Sequence, residues 1–281
     1  MQLPVGNEMP LLELYTANCE LQTMDILGFG ISQMVTFLLV LVRVGGIFTV
    51  GPVFGNANVS PMVRVGMAAA LAFVFLPMAS FDASHIDFLS LFLVVAKEAL
   101  VGVVMGFLAS MMFTGIQMAG AFIDLQIGFG FANIVDPMMK QHNAVIGQLY
   151  NFAAMLLFLA MNGHHLMIRG LADSFSVLPL GHMVVTPHAT AGILSVFAAL
   201  FLAALKIGAP VVGAIFLTDV ALGILARTVP QLNVFVVGFP AKLTVGLLAV
   251  MAVLPMAFGV MTGLFSGLEH DLVRLLKYMG G

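Results

Sequence analysis

Six stretches of the chain are apolar over most of their length: 26–42, 65–81, 101–123, 144–161, 189–217 and 243–268. They approach or exceed the about 20 residues that a helix needs to cross a bilayer core. Polar interruptions are sparse; Lys206 and Pro210 fall inside the fifth stretch. Glycine, proline and asparagine mark loops at 51–61, 79–87, 162–186 and 228–240. The pattern predicts an all-α integral membrane protein with one membrane domain at 26–268, no internal repeat and no interdomain linker. Ahead of it lies an acidic arm, 1–25, with Glu8, Glu13, Glu20 and Asp25 but no lysine or arginine. It lacks the positive start of a secretory signal and is expected to be disordered or to lie on a surface. Residues 269–281, with Arg274 and Lys277, read as a short polar-amphipathic tail.

Composition narrows the class. Hydrophobic residues make up 61% of the chain and charged ones 8%, with a mean hydropathy of +1.12, far from the roughly 25% charge of soluble proteins. A net charge of −3 without a basic patch gives nucleic acid no footing. The single cysteine, Cys19, excludes an intramolecular disulfide. An arm free of positive charge favours the outer side, and Arg274 and Lys277 favour a cytoplasmic end. Opposite sides require an odd number of crossings, so at least one of six segments is expected to be a hairpin, a re-entrant piece or a protein-covered helix.

One stretch suits neither lipid nor water: GAFIDLQIGFGFANIVDPMMKQHN, residues 120–143. Gly120, Gly128 and Gly130 loosen the helix, and Pro137 pushes Asp136 out of the α region. Irregular backbone between membrane-grade runs is tolerated where it is buried in protein or lines a cavity. This stretch is therefore the first candidate for the working part of the molecule.

Ionisable groups inside apolar runs are the second signal. Arg43, Lys97, Glu98, Asp124, Lys206, Asp219, Arg227 and Lys242 would each cost roughly 2.5–3.5 kcal/mol at a lipid-exposed helix centre. Ion pairs or interface contacts are favoured over a proton path, because the discontinuous repeated spans of many secondary transporters are missing. A self-contained transporter relaying charge through Asp124, Lys97 and Glu98 stays open as the rival. Small residues recur every four positions at Gly102, Gly106, Ser110 and Thr114, and again at Gly259, Gly263 and Gly267. Such faces let helix backbones approach closely.

The adjacent histidines of NGHH, 162–165, are expected to diverge, and no carboxylate follows at ligand spacing. Gly128-Phe129-Gly130 lacks the lysine and the strand-to-helix setting of a phosphate loop. No nucleophile motif stands out. The chain is therefore expected to be no enzyme and to hold neither metal nor cofactor. Among its 21 methionines, Met138 and Met139 beside the irregular stretch fit an adaptable seal, and the others fit core filling.

In order along the chain come Arg43, Gly51-Pro52, Pro61-Met62-Val63-Arg64, Pro77, Glu98 with GVVMGF, AGAFIDLQIGFGFANIVDP, FLAMNGHHLMI, DSFSVLPLG and LGILARTVPQLNVFVVGFPAKLTVGL. Together these resemble the R-type membrane proteins of type III secretion export gates, the FliR/SpaR/YscT family, over roughly 36–267. The PQLNVF and GFP pieces resemble the flagellar branch more closely than the injectisome branch.

The resemblance implies a gate subunit in the flagellar basal body of the bacterial inner membrane, assembled with FliP and FliQ subunits and with FlhB, that passes unfolded flagellar export substrates. It implies a FliP-like part at about 26–188 and a FliQ-like part at about 189–268, built of apolar hairpins lifted partly out of the lipid. It also implies a pore plug at 127–143. Ile127, Gly128, Phe129, Gly130, Phe131, Ile134, Met138 and Met139 form that plug, with the two glycines permitting the bend. Arg43, Arg64, Lys97, Glu98, Asp124, Asp136, Asp219 and Arg227 are then ion-pair or interface residues. Gly102, Gly106, Ser110, Gly259, Gly263 and Gly267 serve helix packing.

Overall fold

A computed structural model describes residues 11–55, 59–82, 86–129, 144–184, 186–229, 231 and 233–280. These residues form α1 (Leu11–Val50), α2 (Pro61–Phe75) with a 3-10 turn at Leu76–Met78, α3 (Phe88–Ile127), α4 (Val145–Ala160), α5 (Gly163–Val177), α6 (Pro187–Thr228) and α7 (Val234–Gly280). No strand occurs among them. The protein is an all-α integral membrane protein.

Three element boundaries depart from the sequence pattern. Neither glycine nor proline falls between Leu11 and Ile26, so nothing breaks the helix there; α1 starts at Leu11, and most of the arm is helical instead of disordered. The expected loop at 162–186 contains α5, because Met167, Leu171, Ser174 and Phe175 bury one face at helical spacing. The expected loop at 228–240 ends early, since α7 begins at Val234 and carries Pro240 inside it. The C-terminal residues are likewise no free tail. Leu272, Leu275, Leu276 and Met279 are buried, and the Met279 and Tyr278 carbonyls accept from Val184 N–H (2.8 Å) and Thr186 Oγ1 (2.5 Å).

Five of the described helical segments are long and apolar enough to cross a membrane: Ser32–Val50, Pro61–Met78, Phe88–Ile127, Ala189–Thr228 and Val236–Gly280. The remaining apolar segment is α4, which bends by 67° into α5 as a broken span or re-entrant pair. Asn162, in the left-handed region at φ 56°, makes that corner. Helices α3, α6 and α7 contain 40, 42 and 47 residues. At 1.5 Å per residue they run about 60–70 Å, twice a bilayer core of about 30 Å.

Helix α1 lies parallel to α3 through a glycine seam. A Cβ on Gly46 would stand 2.8 Å from the Val103 backbone nitrogen, and one on Gly106 would stand 3.0 Å from the Ile47 carbonyl oxygen and the Gly51 nitrogen. A Cβ on Gly102 would collide with the Arg43 carbonyl oxygen. The expected packing role of Gly102 and Gly106 thus has its partner in α1. Ser110 and Thr114 extend that face, and their hydroxyls donate within α3 to Phe107 and Ser110 carbonyls at 2.8 and 3.1 Å. Among the described residues, a Cβ on Gly259 or Gly263 would meet nothing within 4 Å, and one on Gly267 would come near Asp271 of its own helix. The second small-residue face is open.

A buried ion pair locks the seam. Arg43 and Glu98 are both fully buried, with Nε 2.6 Å from Oε2. The remaining Arg43 donors reach the Ser174 carbonyl and hydroxyl (3.1 and 3.2 Å) and the Leu178 carbonyl (3.0 Å), while Phe175 lies under the guanidinium at 4.8 Å. Gly181, at φ 80°, turns its N–H onto Glu98 Oε1 at 2.9 Å. The DSFSVLPLG motif thereby solvates the pair with backbone groups, as two buried charges require. Elsewhere the outer surface is greasy. Met62, Phe88, Met34, Leu125, Phe73 and Leu156 are each at least 70% exposed, a surface that calls for lipid or neighbouring protein.

Candidate functional site

Helices α3 and α4 meet at the two ends of the irregular stretch, and Asp124 ties them together. The first amides of a helix need acceptors, and Ala144, which precedes α4, has no polar side chain to offer. The Asp124 carboxylate supplies them from α3. It accepts from Ile146 N–H at 2.9 and 3.1 Å and from Gly147 N–H at 3.1 Å, where a helix N-terminus favours negative charge. Its backbone carbonyl accepts from Gly128 and Phe129 N–H groups at 3.1 Å each and closes α3. One residue therefore ends one helix and starts the next. Gly120 lies against Gly147 so closely that a Cβ on Gly120 would strike the facing helix, while one on Gly147 would stand 3.1 Å from the Gln117 carbonyl oxygen.

Gly128 adopts φ 102°, a conformation in which a side chain is strained, and swings the chain out of α3. Ile127 is 1% exposed and packs against Gly246 of α7 and Ile215 of α6. It is a core residue at the root of the stretch. Phe129 is partly buried against the same core. Gly130, Phe131, Ile134, Asp136, Met138 and Met139 lie outside the described residues.

Beside this root opens a cavity of about 640 Å³, lined by Leu125, Gln126, Gly128, Leu222, Phe239 and the pair of Asp219 and Lys242. That pair joins α6 to α7 at 2.5 Å with its side chains about a third exposed, 33% and 28%. Arg43 pairs with Glu98 at the glycine seam, and Asp124, Lys97 and Arg64 make contacts of their own. Asp124 binds the backbone amides of Ile146 and Gly147. Lys97 reaches the Gly181 carbonyl at 3.4 Å, and Arg64 reaches the Val59 carbonyl at 3.5 Å. Arg227 is exposed in the last turn of α6, where a cation suits the helix dipole.

A charge relay through Asp124, Lys97 and Glu98 has no geometry behind it. Glu98 is neutralised by Arg43 and lies about 40 Å along α3 from Asp124 at 1.5 Å per residue. Among the described residues no group of three histidine, cysteine, aspartate or glutamate side chains could hold a metal ion. The rings of His164 and His165 do not diverge; they stack with centroids 4.3 Å apart. Sequence reasoning missed Gly46, Gly147, Gly181 and Gly246, whose value lies in which backbone or side chain comes opposite.

Asp124→Ala strips the two α4 amides of their charged acceptor and is expected to cost about 1.5–3 kcal/mol. Asp124→Asn, which keeps one acceptor oxygen, should lose less. Thermal unfolding of the purified, detergent-solubilised protein or complex measures both; equal stability of the alanine variant and the parent would refute the clamp.

Comparison with known proteins places this architecture. The profile of "Bacterial export proteins, family 1" matches residues 34–268. Flagellar biosynthetic protein FliR of Bacillus subtilis (strain 168) is 38% identical over 253 residues, covering 87% of this chain and 95% of the relative. The protein of the same name from Escherichia coli (strain K12) is 32% identical, with 84% and 91% covered. That from Pectobacterium carotovorum subsp. carotovorum is 31% identical, with 86% and 93% covered.

Proposed function

The chain belongs to the bacterial export proteins, family 1, and from that premise we propose that it is a core subunit of the flagellar type III export gate. The match over residues 34–268 carries this reading, and the relatives' shared name, flagellar biosynthetic protein, supports its flagellar form. The subunit forms and plugs the pore through which unfolded flagellar proteins cross the bacterial inner membrane. FliP and FliQ subunits complete the pore, and FlhB binds around it. Cofactors and covalent chemistry play no part in the proposed action, which is mechanical.

In this reading residues 26–188 form the FliP-like part and 189–268 the FliQ-like part. The change from the bent α4 and α5 pair to the long α6 and α7 hairpin near residue 187 supports that division. The open face of Gly259, Gly263 and Gly267 then belongs against another subunit, as do many of the exposed apolar side chains. The plug comprises Gly128, Phe129, Gly130, Phe131, Ile134, Met138 and Met139, rooted at the buried Ile127, with Asp136 bounding it. A hydrophobic constriction excludes water and ions when closed, and an unfolded cargo displaces it sterically.

Deleting residues 128–131 is expected to raise ion leakage through the assembled complex while leaving its assembly intact. Conductance of reconstituted complexes measures this, and unchanged conductance in a fully assembled complex would sink the plug. Co-purification supplies the test of class. The chain should require P- and Q-type subunits for stability, whereas a monodisperse monomer transporting a small solute would identify a transporter.

A further inference from the structure

We propose that Gly246 of α7 is a positioning residue for the plug: it forms the notch that seats Ile127 and so lets the α6 and α7 hairpin set the direction in which the chain leaves α3. This inference rests on the plug reading above and adds to it the element that aims the plug. The observation is steric. A Cβ on Gly246 would stand 2.7 Å from both Cγ1 and Cδ1 of Ile127 and 3.4 Å from Ile215 Cδ1. The notch is therefore filled by Ile127, with no room for a methyl group.

Neighbouring contacts make Ile127 the side chain that matters in this last turn. Leu125 is 74% exposed, and Gln126 borders the cavity. Ile127 is 1% exposed, and Gly128 with its positive φ follows at once. A tilt of Ile127 therefore rotates the bend itself. One helical turn away from Ile215 and Gly246, in α6 and α7 respectively, Asp219 and Lys242 bridge at 2.5 Å and hold the two hairpin arms in register beneath the notch. Asp124 fixes α3 to α4, and the Gly246 notch fixes α3 to the hairpin. The plug's departure is thus referred to two separate bodies of the fold.

The test uses the assembled complex reconstituted in lipid, read by ion leakage alongside subunit composition. Gly246→Ala is expected to push Ile127 out of its seat and raise leakage about fivefold or more, the shift that an overpacked contact imposes on a two-state equilibrium. Adding Ile127→Ala vacates the space and should return leakage most of the way to the parent level. Should Gly246→Ala alone fail to assemble, recovery of the complex by Ile127→Ala supports the same contact, and failure to recover overturns it. Raised leakage that Ile127→Ala leaves unchanged also overturns it. If deletion of 128–131 raises leakage but Gly246→Ala does not, the notch is refuted and the plug survives. If neither raises leakage, both fall.

Discussion

Arg43→Ala is expected to abolish accumulation of the folded protein. The substitution leaves Glu98 fully buried without its cation, with the Gly181 N–H as its remaining hydrogen-bond donor among the described residues. Removing one partner of a buried pair costs about 3–5 kcal/mol, a large share of the roughly 5–15 kcal/mol that holds a domain together. Glu98→Leu should be comparably severe, since it strands the guanidinium. The double change Arg43→Met with Glu98→Leu removes both charges and should recover part of the loss. Full recovery is not expected, because the Ser174 and Leu178 carbonyls lose their donor. Yield and thermal midpoint of the complex extracted from membranes read the series. A double variant no better than the single ones would show that the ion pair is not what links the two residues.

Gly102→Val is the second large effect. Its Cβ falls on the Arg43 carbonyl oxygen, which is backbone in the middle of a helix and cannot rotate away. Overpacking ordinarily costs about 1–3 kcal/mol and more where nothing can shift, and Gly102→Val should lie at or beyond the top of that range. Gly106→Val should also destabilise, but less, because its tightest contacts stand at 3.0 Å. Gly45→Ala is the control: among the described residues an added Cβ there meets no neighbour within 4 Å, and alanine is the better helix former by about 1 kcal/mol. The expected order of stability is Gly45→Ala at or above the parent, then Gly106→Val, then Gly102→Val. A Gly102→Val protein that extracts and unfolds like the parent would mean that α1 does not seat against α3 there.

The two variants act on one joint. Arg43 supplies the cation of the pair through its side chain and the wall of the glycine seam through its carbonyl. The joint binds α1 and α3 to α5, and α3 then carries the frame onward to the root of the plug. A defect at Arg43 should therefore remove protein, whereas a defect at Gly246 should leave protein and alter leakage. That separation distinguishes framework from gate.

Hydrophobic pattern made the class legible, because a run of 20 apolar residues has few destinations besides a membrane or a fully buried helix. It also singled out 120–143, since glycines and an Asp-Pro inside such a run conflict with helix; α3 nevertheless continues through Gly120 to Ile127, and 130–143 lie outside the described residues. The pattern failed at α5, where polar residues among 163–177 looked like loop although Met167, Leu171 and Phe175 keep helical spacing. At the C-terminus the pattern reads as polar-amphipathic, and Leu272, Leu275 and Leu276 form the buried apolar side of that end of α7. At α5 the amphipathic helix was disguised by its own polar side.

Pairing was the harder question. Eight ionisable residues stood in apolar surroundings, and their cost in lipid said that each needed company without saying whose. Arg43 finds Glu98 across 55 positions and Leu178 across 135. Asp124, among the described residues, meets no cation but the free amides of α4. Helical spacing carries information over one or two turns, and these contacts lie far beyond it.

By itself, then, the sequence determined that the chain is helical, that it belongs with membrane lipid, and that residues 120–143 differ in composition from the apolar runs around them. Those properties follow from local chemistry: side-chain hydropathy, helix period and the conformational freedom of glycine. Tertiary structure alone decided which glycine is a seam, which is a notch and which faces outward, and which charge neutralises which. A glycine's role is set by the atom opposite it, and a buried charge's by the group that approaches it. Both are fixed when distant helices pack.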